Sequence, residues 1–223
     1  MIVDILTLFP SMFDGFLNES IIKRAIEKGK VTINIHNIRD FSPFKNKQVD
    51  DYPYGGGSGM VLMCEPIFNA IDYLKKENTK VIMMTPSGEV FKQSLAKDFS
   101  NLEHIILLCG HYEGFDERIK TIVDMEVSIG DYVLTGGELP AMVITDAITR
   151  LIPGVITASS LDSESFNDNL LDYPTYTKPA SFRGLDVPEV LLSGHHANIN
   201  KYRLEQQIKL TEERRQDLIS KGD

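Results

Sequence analysis

The sequence predicts an α/β domain on a largely parallel sheet, followed by a flexible linker and a small helical domain. Three observations carry that prediction. Strand-like apolar runs at 2–8, 31–38, 81–85, 105–110 and 126–134 alternate with helix-like segments, the pattern of crossover units on a parallel sheet. The alternation stops near Pro153 and Gly154, where residues 157–169 turn small and polar. A tail with Pro174, Pro179 and Pro188 then leads into an amphipathic helix at about 199–219. The expected boundaries are 1–156, 157–169 and 170–223.

The elements follow in order. Met1 runs straight into an apolar stretch with no basic region before it, which reads as a first strand rather than a secretory signal. Helices are expected at about 18–28, 66–77, 91–99 and 140–151. Pro66 and Pro140 suit first turns, where the missing N–H costs nothing. Between the second strand and the second helix lies Tyr52-Pro53-Tyr54-Gly55-Gly56-Gly57-Ser58-Gly59-Met60. Such a run suits either a phosphate- or RNA-backbone-binding loop or a plain surface loop.

Composition sets limits. At 223 residues, 42% hydrophobic and 25% charged, the chain is of ordinary globular type and can bury a full core. No apolar run approaches the roughly 20 residues that cross a bilayer. The two cysteines, Cys64 and Cys109, sit in apolar surroundings and read as reduced core thiols of a cytoplasmic protein. Net charge is −9, but 20–50 carries a local excess of four positive charges while 110–140 is acidic. That division suits a polyanion on one region and a cationic small molecule on the other, or simply a solvated face.

The most informative stretches are two glycine loops, 110–118 (GHYEGFDER) and 128–140 (SIGDYVLTGGELP). Each follows or overlaps a strand. Glycine lets a backbone take φ > 0 or approach a ligand closely, so these loops suit recognition through peptide groups. Neither matches the dinucleotide or P-loop fingerprint.

Joined to the 52–60 stretch, these loops resemble the bacterial tRNA (guanine-N1)-methyltransferases, of the trefoil-knotted SPOUT class. The likeness runs through 7–13, 54–60, 110–118, 128–140, 152–155, 170–174, 176–179 and 193–196. The resemblance implies a knot at the end of the sheet domain, which no pattern here could predict, since topology rules disfavour knots. It implies S-adenosylmethionine as methyl donor, held by Met84, Thr85 and Pro86, then Gly110, Tyr112, Glu113 and Gly114, then Ile129, Gly130, Tyr132, Leu134, Gly136, Gly137 and Pro140. It implies tRNA contacts at Gly55, Gly56, Gly57, Ser58 and Gly59 and at Ser193, His195 and His196. It also implies a homodimer whose sites combine the donor loops of one protomer with the linker and tail of the other. Magnesium is compatible with the family, although this sequence shows no metal site.

The chemistry names the remaining candidates. Guanine N1 carries a proton, so methylation needs a base there, and charge moving to O6 calls for a cation. The family's base is an Asp immediately before Ser-Phe; the residue before Ser165-Phe166 in this sequence is Glu164. Glu164 is the expected base, with Asp162 its competitor and Asp168 a weaker one. Arg150, ending the 140–151 helix, matches the arginine at the purine oxygen. A cation favoured by the helix dipole is the alternative reading of Arg150.

Overall fold

A computed structural model describes residues 1–157 and 164–219. The density of internal contacts divides the chain into two compact units, Met1–Ile156 and Thr157–Asp223.

The first unit is a mixed α/β structure around one five-stranded sheet: β1 (Ile2–Thr7), β2 (Thr32–Asn37), β5 (Thr79–Val90), β6 (His104–Leu108) and β7 (Met125–Ser128). Every pairing in it is parallel, in the order β2-β1-β6-β5-β7. The central strands β1 and β6 are buried almost throughout, which is why they read as continuous apolar runs rather than alternating ones. Alternation decides instead which layer each side chain joins. Val3, Ile5, Ile105 and Leu107 pack with Ile144 and Ile148 of α5 (Glu138–Thr149) and with Ala96 and Phe99 of α4 (Gln93–Ser100). Leu6, Ile106 and Leu108 pack on the other face with Ile67, Ala70 and Ile71 of α3 (Cys64–Leu74). Two short helices, α1 (Asp14–Leu17) and α2 (Ser20–Glu27), join β1 to β2.

Several elements depart from the sequence expectation. The expected strand at 126–134 ends at Ser128, because Gly130 takes φ +145° and the Tyr132 N–H turns back to the Gly130 C=O at 3.0 Å. The strand expected at 81–85 instead spans 79–90. Its register slips between Met84 and Glu89, both opposite Val127, so residues 85–88 form an excursion. A small hairpin also went unforeseen, β3 (Asp50–Asp51) with β4 (Val61–Leu62).

Towards the N-terminal ends of the strands lies a polar network centred on buried Asp4, His104 and Thr79. Asp4 accepts from Asn34 Nδ2 at 2.7 Å, from His104 Nε2 at 2.7 Å and from His36 Nε2 at 2.9 Å. Thr79 Oγ1 accepts from the Lys76 N–H and lies 2.6 Å from His104 Nδ1. All these groups are satisfied when the Thr79 hydroxyl donates to Nδ1 and His104 keeps its proton on Nε2 for Asp4.

The second unit holds a hairpin of β8 (Ser181–Phe182) and β9 (Leu185–Asp186), a short α6 (Glu189–Leu192), and α7 (His196–Arg214). The helix expected at 199–219 breaks at Arg215, φ −140°, before Gln216–Ile219 resumes. Thr211, buried in α7, donates to the Gln207 C=O and accepts from the Leu171 N–H at 2.9 Å. Part of the expected linker, 158–163, lies outside the described residues.

Candidate active site

The C-terminal ends of β5, β6 and β7 open into one cavity of about 400 Å³. Open α/β sheets bind ligands at this end of their strands, and the volume falls in the range of small-molecule sites. Met84, Thr85 and Pro86 line it from the β5 excursion, and Gly110, Tyr112, Glu113 and Gly114 from the loop after β6. Ile129, Gly130, Tyr132, Leu134, Gly136, Gly137 and Pro140 line it from the loop after β7. The residues expected to hold the methyl donor therefore all share a single cavity.

Local backbone demands explain the glycines that matter most. A Cβ on Gly88 would fall on the backbone of Glu126 and Val127, so the β5 excursion closes against β7 only without a side chain there. A Cβ on Gly137 would stand 2.7 Å from both Cys109 Cα and Gly110 N, where Gly137 N–H donates to the Gly110 C=O at 2.8 Å. Tyr112 sits at φ +59°, uncommon for a bulky residue and a mark of strain held by its surroundings.

Behind the lining residues Gly136 and His111 lies a buried polar group. Glu138 opens α5 and is 2% exposed, accepting from the Thr7 hydroxyl at 2.7 Å. A carboxylate at that helix N-terminus is favoured by the helix dipole. His111 packs against Phe9 with ring centroids 4.8 Å apart, and its Nδ1 is buried with no hydrogen-bond partner among the described residues. Cys109 lies beneath, its thiol pushed well up by burial and then by Glu138.

Around the rim, ion pairs fasten the loops. Asp116 takes the Arg118 guanidinium through two bonds, at 2.7 and 2.9 Å, and the arginine holds its carboxyl well below the usual range. Lys120 reaches Glu117 at 3.0 Å and Glu126 at 3.6 Å, and Ser87 donates to Glu126 from the β5 excursion. Among the lining residues that the sequence reading missed are His111, Phe115, Glu117 and Lys120. The first three sit inside the 110–118 block and could have been included. Lys120 lies just beyond that block, on the 3-10 turn of residues 117–122.

The remaining candidates fall elsewhere. Arg150 caps the C-terminus of α5 in the first unit, half-buried. Glu164 is half-buried in the second unit, and Asp168 is exposed there. Asp162 lies outside the described residues. Gly55, Gly56, Gly57, Ser58 and Gly59 form the exposed connection between β3 and β4. Ser193, His195 and His196 are exposed at the start of α7, where His195 Nδ1 accepts from the Asn198 N–H. Ser193 and His195 thus also serve as local caps. Among the described residues no three His, Cys, Asp or Glu side chains cluster at metal-binding distance, and no helix is long and apolar enough to cross a membrane.

Comparison with known proteins gives consistent matches. A family profile described as tRNA (Guanine-1)-methyltransferase TrmD matches residues 1–221. A tRNA (guanine-N(1)-)-methyltransferase of Caldanaerobacter subterraneus is 54% identical over 225 residues, covering 100% of this chain and 93% of that protein. Enzymes of the same name from Malacoplasma penetrans and Staphylococcus aureus strain JH9 are 56% and 58% identical. They cover 99% of this chain, and 98% and 91% of their own lengths.

Proposed function

Because the chain belongs to the tRNA (guanine-1)-methyltransferase family, we propose that it methylates N1 of a tRNA guanosine, position 37, on the 3′ side of the anticodon. The donor is S-adenosylmethionine. The observation that carries this reading is the convergence of three loops, expected from sequence to grip that donor, on one cavity.

The cavity suits that group. Peptide N–H and C=O groups of three loops can read the edge of a flat heterocycle, with the rings of Tyr112 and Tyr132 beside it. Glu113 puts a carboxylate on the wall, favourable to a cationic ligand, while Glu117 is paired with the lining Lys120. When bound there, S-adenosylmethionine supplies a methyl group already activated by its sulfonium. The protein's share is positioning and proton removal. Glu164 takes the N1 proton as the new bond forms, and Arg150 stabilises the charge moving to O6.

Arg150 and Glu164 belong to different units of the chain. A homodimer in which one protomer contributes Arg150 and the other Glu164 accommodates this. The exposed apolar side chains Leu139 and Val143, one turn apart on α5, support such an assembly, as does Met12 on the adjacent 3-10 turn. The trefoil knot, the 157–169 linker and a tRNA-binding second unit belong to the same proposal, as do a cytoplasmic location and tRNA contacts at 55–59 and 193–196.

The test is transfer of labelled methyl from S-adenosylmethionine to an unmodified tRNA transcript with guanosine at 36 and 37, beside one with adenosine at 37. Label on the first alone supports reaction and position together. Label on both moves the target elsewhere in the RNA, and label on neither overturns the reading.

A further inference from the structure

The connection between β3 and β4 carries features that the donor cavity does not require. Tyr54 is wholly exposed, with relative accessibility 102%, and Tyr52 is 77% exposed. Beside them Gly55, Gly56, Gly57 and Gly59 all adopt positive φ, +85°, +80°, +129° and +87°. A Cβ on Gly55 or Gly56 would meet nothing within 4 Å. These two glycines therefore answer a conformational demand and not crowding, and they leave open space beside an aromatic ring.

The far end of the connection is fastened to the cavity wall. Glu113 N–H donates to the Met60 C=O at 3.0 Å, and Leu62 N–H donates to the Gly114 C=O at 2.9 Å. A Cβ on Gly59 would fall on the Glu113 side chain. Gly59 lies only five positions beyond Tyr54, at most about 18 Å of chain. The exposed ring is thus tethered close to where methyl transfer would occur.

An exposed tyrosine beside an open glycine backbone has the makings of a stacking site. Single-stranded RNA is recognised by splaying unpaired bases onto aromatic faces. We propose that Tyr54, supported by Tyr52, is the platform on which an unpaired base beside the methylated guanosine stacks. This rests on the tRNA reading above and adds the residue that positions the acceptor.

The experiment compares the full-length protein with Tyr54→Ala and Tyr54→Phe. It measures the Kd of the unmodified transcript at two salt concentrations, steady-state kinetics, dimer mass, and donor affinity by calorimetry without RNA. Loss of one stacked base weakens Tyr54→Ala for the transcript by about 5- to 150-fold. The effect falls mainly on KM, Tyr54→Phe stays within about twofold of the parent, and donor affinity is unchanged. Because no charge is removed, the salt slope stays that of the parent. Transcript binding by Tyr54→Ala equal to the parent's overturns the proposal, as does an equal loss in Tyr54→Phe or a loss of dimer mass. A parent that binds donor but neither binds nor methylates the transcript removes the tRNA reading and this inference with it.

Discussion

At the scale of single residues, the acid–base pair and the buried network make separate predictions. Glu164→Gln is expected to lower single-turnover methyl transfer by about 10²- to 10⁴-fold while leaving tRNA affinity near the parent's. Asp162→Asn is expected to transfer normally, and reversed results would move the base to Asp162. Asp4 tests stability instead. Burial would raise its pKa, but hydrogen bonds from His36, Asn34 and His104 outweigh that and hold it at about 2, against 3.8 ordinarily. The unfolded chain therefore binds more protons between those values, and stability falls as pH drops from about 4 towards 2. The difference corresponds to about 2 kcal/mol at neutral pH. In Asp4→Asn that acid-dependent loss should vanish from urea unfolding titrations, with overall stability reduced. None of this network was legible in the sequence, since its members are brought together only by parallel pairing of β1 with β2 and β6.

At the scale of elements, the excursion in β5 is the feature most exposed to test. Gly88→Ala places a methyl group on the Glu126–Val127 backbone, which must shift, at a cost of about 1–3 kcal/mol. The expected outcome is a lower Tm together with weakened donor binding by calorimetry, because Thr85 and Pro86 line the cavity from that excursion. A variant with unchanged Tm and donor affinity would show that β5 and β7 tolerate separation there. Sequence pattern placed β1 and β6 well because they are nearly pure apolar runs. It could not place the excursion, since Thr85-Pro86-Ser87-Gly88 reads as the end of a strand. The loop residues around the cavity were named through the family resemblance, and the glycines at strand ends agree with it, since glycine lets a backbone approach a ligand closely. Lys120 was not, as its residue type is not diagnostic without its surroundings.

At the scale of the whole molecule, the prediction concerns how two protomers share a site. If Arg150 of one chain works with Glu164 of the other, mixing inactive Arg150→Ala with inactive Glu164→Gln, under conditions that exchange subunits, restores part of the activity. Each mixed dimer then holds one intact pair. No recovery, with exchange demonstrated, would place both residues of a site in one chain. Replacing Leu139 and Val143 with aspartate should give a monomer by gel filtration that no longer transfers methyl. The two-unit division was visible in the sequence because periodic hydrophobicity stops near Pro153. The hairpin of β8 and β9 was not, its strands being two residues each.

The hydrogen bond from Thr7 to Glu138 joins residues 131 positions apart. It ties the end of the first strand to the opening of α5, so the support behind the lining glycine Gly136 is finished by one of the last segments of the first unit to be synthesised. At roughly 5–20 residues per second, a nascent chain spends about 8–30 s on the ribosome before α5 has been made. Throughout that interval β1 is present without Glu138, and the chain in translation has no complete pocket to offer.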